Sequence, residues 1–357
     1  MKKTDIKMFT TVTQSQYRMF LGNLMDMQLQ GKNPPPCMCW GAPGIGKSDI
    51  NRQVASEKGV GLVDVRLAQR EPVDMRGLPV PNMNEKSVDW YTSSEWPRDP
   101  DSKGIIFFDE LTAADRMNQA AAYEFILDRR LGKNYEVPKG WYICAAGNRI
   151  SDHAVASQMS SALANRFIHF NLEADVESWC AWAETKGIHP AIVAFLRFKP
   201  ELLHAMPDDE SCQQGWPSPR SWERLDTILK AFPEKDYPTL AAGLVGEAAA
   251  LQFMAFLKSS HRFDTDVYKA MTSPSVTLPK ENDQLYAWCA SAANILVSNQ
   301  ADFPKLLDGF ARVLLRVSPD FAQMMLQSVR GALMPSNLDA LLGNANFKKW
   351  MKANGGR

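Results

Sequence analysis

"CMCWGAPGIGKSDI", Cys37 to Ile50, decides how the rest of the chain is read. Its centre, Gly41 through Ser48, is a complete Gly-x-x-x-x-Gly-Lys-Ser phosphate-loop pattern. The residues just before it, "PCMCW", read as a short buried strand, and those after it, "SDINRQVASEKG", have helical spacing and end on glycine. Strand, glycine loop and helix is the context this motif needs. The glycines let main-chain N–H groups converge on phosphate at a helix N-terminus, whose dipole favours anions. The expected phosphate-binding set is Gly41, Ala42, Pro43, Gly44, Ile45, Gly46, Lys47, Ser48 and Asp49. Within it Lys47 reaches the outer phosphates and the Ser48 hydroxyl is a ligand for Mg2+.

Upstream, apolar residues at Tyr17, Phe20, Leu21, Leu24, Met25 and Leu29 mark one face of a helix over 11–30, which "GKNPPP" ends. Downstream, "GLVDVRL" (61–67), "GIIFFDE" (104–110), "GWYICAAGN" (140–148) and "RFIHFNL" (166–172) read as strands, and a helix is expected over 113–131. Near-continuous apolar strands alternating with helices predict an α/β fold with a parallel sheet covered on both faces. Residues 71–103, rich in Pro, Asn, Ser and Asp, break the alternation. A loop of that length in a compact domain points to function, and "VPNMNEKSVDWY" within it reads as a small hairpin. After 172 the pattern turns helical, at 175–187, 189–206, 218–232 and 239–259, with a proline-broken linker at 272–284 and further helices beyond.

Composition narrows the function classes. A chain of 357 residues suits two or three compact domains. Its 40 lysines and arginines equal its 40 acidic residues, so no global charge draws it to nucleic acid or an anionic membrane. No apolar run approaches the roughly 20 residues needed to span a bilayer. The N-terminal "MKKTDIKMFTTVTQSQ" lacks the apolar stretch of a signal peptide. Cysteines at 37, 39, 144, 180, 212 and 289 form no Cys-x-x-Cys pair, and are expected to be buried, reduced and structural in a cytoplasmic protein. Cys37 and Cys39, the one close pair, are expected on opposite faces of their strand.

Hydrolysis asks for more than a phosphate cradle. "GIIFFDE" is an apolar strand that would deliver Asp109 and Glu110 to its carboxyl end, where ligands sit in open α/β sheets. Asp109 suits the Mg2+ shell and Glu110 suits polarising an attacking water. Asn148, at the end of "AAGN", can orient that water if its strand neighbours the Asp109 strand.

Gly41–Ser48, "IIFFDE", "AAGN", "SSALANRF" (160–167) and "WPSPRSWE" (216–223) occur in the order and spacing of AAA+ ATPases, and over roughly 10–235 the chain resembles their MoxR group. The resemblance implies ATP as the nucleotide and Asn148 as the sensor-1 residue. It makes Arg166 an arginine finger acting on a neighbouring subunit, and Arg220 the sensor-2 arginine. It divides the chain into a core (1–172) and a helical lid (173–258), with the 71–103 insertion as a hairpin facing a central pore; residues 259–357, beyond the resemblance, are expected to form a further C-terminal helical region. It further implies a homo-oligomeric, hexameric ring, a von Willebrand factor A domain protein as partner, and a protein client to remodel. Arg149 stands where many relatives carry proline. Arg129, Arg130 and Arg149 are further candidates for the subunit interface, and Trp90, Tyr91 and Trp96 either touch a partner or pack the insertion. A nucleic-acid motor and an ATP-gated scaffold are the competing readings.

Overall fold

A computed structural model describes residues 11–132, 134–149, 152, 157, 159–207, 213–273, 278–299, 302–330, 333 and 335–354. The chain forms two compact units, 1–174 and 175–357.

In the first unit the order is β1 (Thr11–Val12), α1 (Gln14–Leu29), β2 (Cys37–Trp40), α2 (Lys47–Lys58), β3 (Gly61–Arg66), α3 (Pro72–Arg76), β4 (Leu78–Asn82) and β5 (Ser87–Tyr91). There follow β6 (Lys103–Asp109), α4 (Arg116–Asp128), β7 (Arg130–Leu131), β8 (Tyr135–Glu136), β9 (Gly140–Gly147), α5 (Ser161–Ala164) and β10 (Ile168–Leu172). Six strands make one parallel sheet in the order β1-β10-β2-β9-β6-β3. The expected α/β class and its parallel sheet are what the structure has.

Why the strands read as unbroken apolar runs is plain from the two faces. Residues two apart on a strand share a face. Met38, Ile106, Phe108, Ile143 and Ala145 face a core completed by Ala121, Ala122, Phe125 and Ile126 of α4. Cys39, Ile105, Phe107, Cys144 and Ala146 face the other core, with Tyr17, Leu21 and Met25 of α1 and Ile50, Val54 and Ala55 of α2. Cys37 and Cys39 therefore share a face, correcting the expectation that they diverge. Burial pushes the Cys39 thiol up to about 12. The five described cysteines are free and buried; Cys212 lies outside the described residues. Among the described residues no group of His, Cys, Asp and Glu could hold a metal ion, and no helix is long and apolar enough to cross a membrane.

Two further corrections have local causes. The helix expected through 131 stops at Asp128, because Arg129 takes a left-handed φ of 55° and the chain turns into the β7–β8 hairpin. The helix expected over 239–259 is two, α9 (Tyr237–Val245) and α10 (Glu247–Thr272). Gly246, with φ 78°, separates them, and a Cβ there would lie 2.9 Å from the Gly215 carbonyl oxygen.

The insertion contains the expected hairpin, β4 against β5. Opposed pairs Pro79–Trp90 and Pro81–Val88 put four apolar side chains on one face, all exposed. Trp96 does the reverse. It is 1% exposed, 4.7 Å from the Phe125 ring and 6.5 Å from that of Phe108. Arg70 and Glu95 close the base of the insertion with paired hydrogen bonds of 3.1 and 2.7 Å.

The second unit is helical throughout its described elements. It begins with α6 (Val176–Lys186), α7 (Pro190–Phe198) and α8 (Pro219–Ala231), followed by α9 and α10. Then come α11 (Asn282–Ser298), α12 (Phe303–Leu314), α13 (Pro319–Arg330), α14 (Pro335–Gly343) and α15 (Ala345–Asn354). A 258/259 division falls inside the continuous helix α10. Arg197, 7% exposed at its side chain, joins Glu184 of α6 at 2.9 Å and Gln327 of α13 at 2.7 Å.

If Trp96 anchors the insertion, Trp96→Ala lowers unfolding stability by about 3–5 kcal/mol, as loss of a buried aromatic does. Trp90→Ala, at an exposed position, stays within about 0.5 kcal/mol of wild type. Urea denaturation of both variants checks the contrast, and equal losses would contradict it.

Candidate nucleotide site

Because every strand of the sheet is parallel, β2, β9 and β6 end on the same edge, side by side. The segment that follows each strand carries one part of the candidate site. Gly41 N donates to Gly147 O at 3.3 Å and Leu111 N to Ala146 O at 2.9 Å, extending the pairing past the strand ends.

The phosphate loop, Gly41 to Ser48, bridges β2 and α2. Gly44 and Gly46 have φ of 78° and 99°, the left-handed region that glycine enters without cost. Gly46 occupies the N-cap position of α2 and brings no capping side chain, so the helix N-terminus keeps its main-chain donors for an anion. At Gly41 a Cβ would come within 2.9 Å of the Leu172 carbonyl oxygen, so only glycine fits beside β10. Asp49 pairs with Arg52 at 2.7 Å, and Arg52 also reaches Asp64 at 3.0 Å. That ion pair turns Asp49 along the outside of α2.

Lys47 is 9% exposed. Its Nζ donates to Gly41 O at 2.5 Å, Ala42 O at 2.9 Å and Asn148 Oδ1 at 2.9 Å. A buried ammonium needs such oxygens around it. Ser48 Oγ donates to Asp109 Oδ2 at 2.5 Å. Asp109, 8% exposed, accepts the Glu110 N–H on its other oxygen at 2.9 Å. Asn51, fully buried one turn along α2, donates to Lys47 O at 2.9 Å and so steadies the first turn.

Glu110 is half-buried and left-handed, with φ 56°. A non-glycine residue there carries strain of about 1–2 kcal/mol. Strain of this kind persists only where the surroundings impose it, and it gathers at functional sites. Here Glu110 O accepts from Ala113 N at 2.9 Å and Ala114 N at 3.3 Å, closing the turn in which the residue sits at the strand end.

The structure brings Lys47, Ser48, Asp109, Glu110 and Asn148 onto this one edge. Arg166 is exposed in the segment after α5, donating to Tyr123 Oη and Ala162 O at 3.0 Å each. Arg220 is exposed at the start of α8, in the second unit. Of the other arginines, Arg129 turns inward and donates to Pro138 O at 3.1 Å and Trp141 O at 2.7 Å. Arg149 faces Asp152, its N–H donating to that carboxylate at 2.7 Å, and Arg130 is exposed near Glu124 and Asp128.

Three residues that matter here carry no sequence signature. Thr112 holds the main chain of Asn148. Asn51 looks like any polar helix residue. His169 accepts from Trp40 Nε1 on Nδ1 at 2.8 Å, so its Nε2 carries the proton donated to Ala164 O at 2.7 Å. That chain of bonds ties the strand before the phosphate loop to the segment bearing Arg166.

No protein-family model and no curated protein sequence matches this chain. Among solved structures, a variant of RuvB from Thermotoga maritima aligns over 73% of this chain and 76% of its own at 15% identity and a TM-score of 0.39. A candidate ATPase from Cytophaga hutchinsonii aligns over 96% and 90% at 10% identity and 0.33. NtrX from Brucella abortus, solved with ADP, aligns over 96% and 68% at 16% identity and 0.38. Likeness at these levels carries no conclusion about activity, partner or family.

The strain at Glu110 is testable apart from any activity. Replacing Glu110 with glycine relieves the left-handed φ, whereas glutamine keeps it. After allowance for glycine's greater unfolded freedom, Glu110→Gly is expected to exceed Glu110→Gln in stability by about 0.5–1 kcal/mol. Equal denaturation midpoints would mean that the turn is unstrained.

Proposed function

We propose that this chain is an ATP hydrolase of the AAA+ class, similar to the MoxR group, which works as a ring to remodel a protein client. The observation that carries this reading is the meeting of Lys47, the Ser48–Asp109 pair, Glu110 and Asn148 on one sheet edge.

Each residue has a task that follows from its chemistry. Lys47 Nζ and the main-chain N–H groups of the loop bind the triphosphate, the lysine exchanging its carbonyl partners for phosphate oxygens. Ser48 and Asp109 offer the hard oxygen atoms that Mg2+ prefers, already together at 2.5 Å, so the donor set fits that ion. When bound, Mg2+ supplies neutralisation of charge on the outer phosphates. Glu110 takes a proton from the attacking water, and the Asn148 carboxamide orients that water and the terminal phosphate. Arg166 is assigned to the nucleotide of an adjacent subunit, which its exposed position allows, and such an arginine is worth about 10³–10⁵ in rate in comparable systems. Arg220 is the second arginine that the resemblance assigns to the reaction.

A residue supplied in trans makes hydrolysis depend on assembly, and the proposed assembly is a hexamer. The β4–β5 hairpin, with Pro79, Pro81, Val88 and Trp90 exposed on one face, is the element we assign to the client side. A von Willebrand factor A domain protein is the partner proposed to recruit that client.

The following measurements test this reading together. Particle mass with and without a non-hydrolysed ATP analogue, beside phosphate release at several protein concentrations, is expected to show a nucleotide-promoted oligomer whose specific activity rises with concentration. A monomer with concentration-independent turnover would remove the trans role of Arg166 and the ring with it. Lys47→Ala is expected to lose ATP binding, while Glu110→Gln binds ATP and traps it. Arg166→Ala subunits, inactive alone, regain partial turnover when mixed with Glu110→Gln subunits. Turnover stimulated by DNA and sensitive to salt would replace the protein-client reading with a nucleic-acid motor.

A further inference from the structure

Thr112 lies two residues beyond Glu110 and is 1% exposed. Its Oγ1 accepts the Asn148 N–H at 3.1 Å and donates to the Asn148 carbonyl oxygen at 3.1 Å. One hydroxyl therefore satisfies both main-chain groups of the residue whose carboxamide oxygen meets Lys47 Nζ at 2.9 Å. Only a hydroxyl can accept and donate in this way within so small a volume.

The clamp is itself braced. Thr112 O accepts from Ser157 N at 2.6 Å and from Ser157 Oγ at 2.9 Å. Gln119, on α4 and nearly buried, donates to Ser157 Oγ at 2.7 Å and to Leu111 O and Ala114 O at 3.2 Å each. On the strand side there is no room to spare. A Cβ added at Gly147 would stand 2.6 Å from Thr112 Oγ1 and 2.9 Å from its methyl carbon. Glycine at 147 thus lets β9 come close enough for its next residue to be held from both sides.

We propose that Thr112 is a positioning residue for the hydrolysis assigned above: its hydroxyl sets Asn148 relative to Lys47 and to the Glu110 turn. The proposal rests on that reading. Thr112 acts through Asn148, whose two main-chain groups it holds. It belongs to the same short segment as Glu110, so one bond pair sets the spacing of the two groups that face the attacking water. A misplacement of about 1 Å in such an arrangement costs about 10²-fold in rate.

The test compares Thr112→Val, which keeps shape and loses the hydroxyl, with Thr112→Ser, which keeps the hydroxyl. Both are made in the full chain and in an Asn148→Ala background. ATP affinity, kcat and amide exchange at residue 148 are read for each. Thr112→Val is expected to lower kcat by about 10²-fold with ATP affinity changed by no more than about threefold, and to speed exchange of the Asn148 amide. Thr112→Ser is expected to restore both readouts to near wild type. In the Asn148→Ala background, Thr112→Val is expected to add no more than about a twofold loss, the sign of two residues acting as a unit. Unchanged kcat in Thr112→Val, an equal loss in Thr112→Ser, or additive losses in the double variant would overturn the proposal. A wild-type chain without ATP turnover overturns the hydrolase reading instead, and the proposal with it. Amide exchange tells the two failures apart, since it reports the clamp whether or not the chain hydrolyses ATP.

Discussion

A nearly buried ammonium, that of Lys47, is the constraint on which the arrangement of the first unit turns. A charge so placed must find oxygen partners, and it finds two in its own loop and one across the sheet at Asn148. The third partner requires β9 to lie beside β2 and to end at the same level. The parallel register delivers that, pairing Trp40 with Gly147. Once β9 is fixed, β6 follows on its far side, and Asp109 comes within reach of Ser48. Loop, carboxylates and carboxamide thus assemble because the sheet has one order, and the apolar faces of the strands hold that order.

The polar network at the strand ends divides into parts that bind and parts that place. Lys47, Ser48 and Asp109 bring an ammonium, a hydroxyl and a carboxylate together at the end of the sheet, the groups we assign to phosphate and its cation. Glu110 presents a carboxylate from a left-handed turn that the adjacent main chain imposes. Around them Asn51, Thr112, Ser157 and Gln119 make no claim on a ligand. Asn51 and Thr112 spend hydrogen bonds on the main chain of Lys47 and Asn148, while Ser157 and Gln119 brace the segment from Leu111 to Ala114 that carries Thr112.

The insertion shows the same separation between anchoring and presentation. Trp96 fills the core beneath α4, and Arg70 with Glu95 closes the base, so the hairpin is rooted in the sheet. Beyond that root, Trp90 and its three companions are left in solvent on one face. Two tryptophans six residues apart in one polar stretch have opposite fates. Composition alone assigns them the same one.

The fold class was legible because hydrophobic spacing is local: the apolar runs at 37, 104 and 140 state that both faces are covered, and parallel strands follow from the helices between them. The phosphate loop was legible for a similar reason, since its glycines and lysine act through the main chain in one short stretch. What stayed hidden depends on groups far apart in sequence. The break at Gly246 exists because the chain near Gly215 passes close to it, and the end of α4 because Arg129 finds carbonyls at 138 and 141. Thr112 is an unremarked hydroxyl in the sequence, and it becomes a clamp only when two strands that are not consecutive lie side by side. The sequence by itself determined which side chains could bind phosphate and carry acid–base chemistry. Only the tertiary structure decided which of them meet, because meeting is a property of strand order and register, and no single stretch of residues contains it.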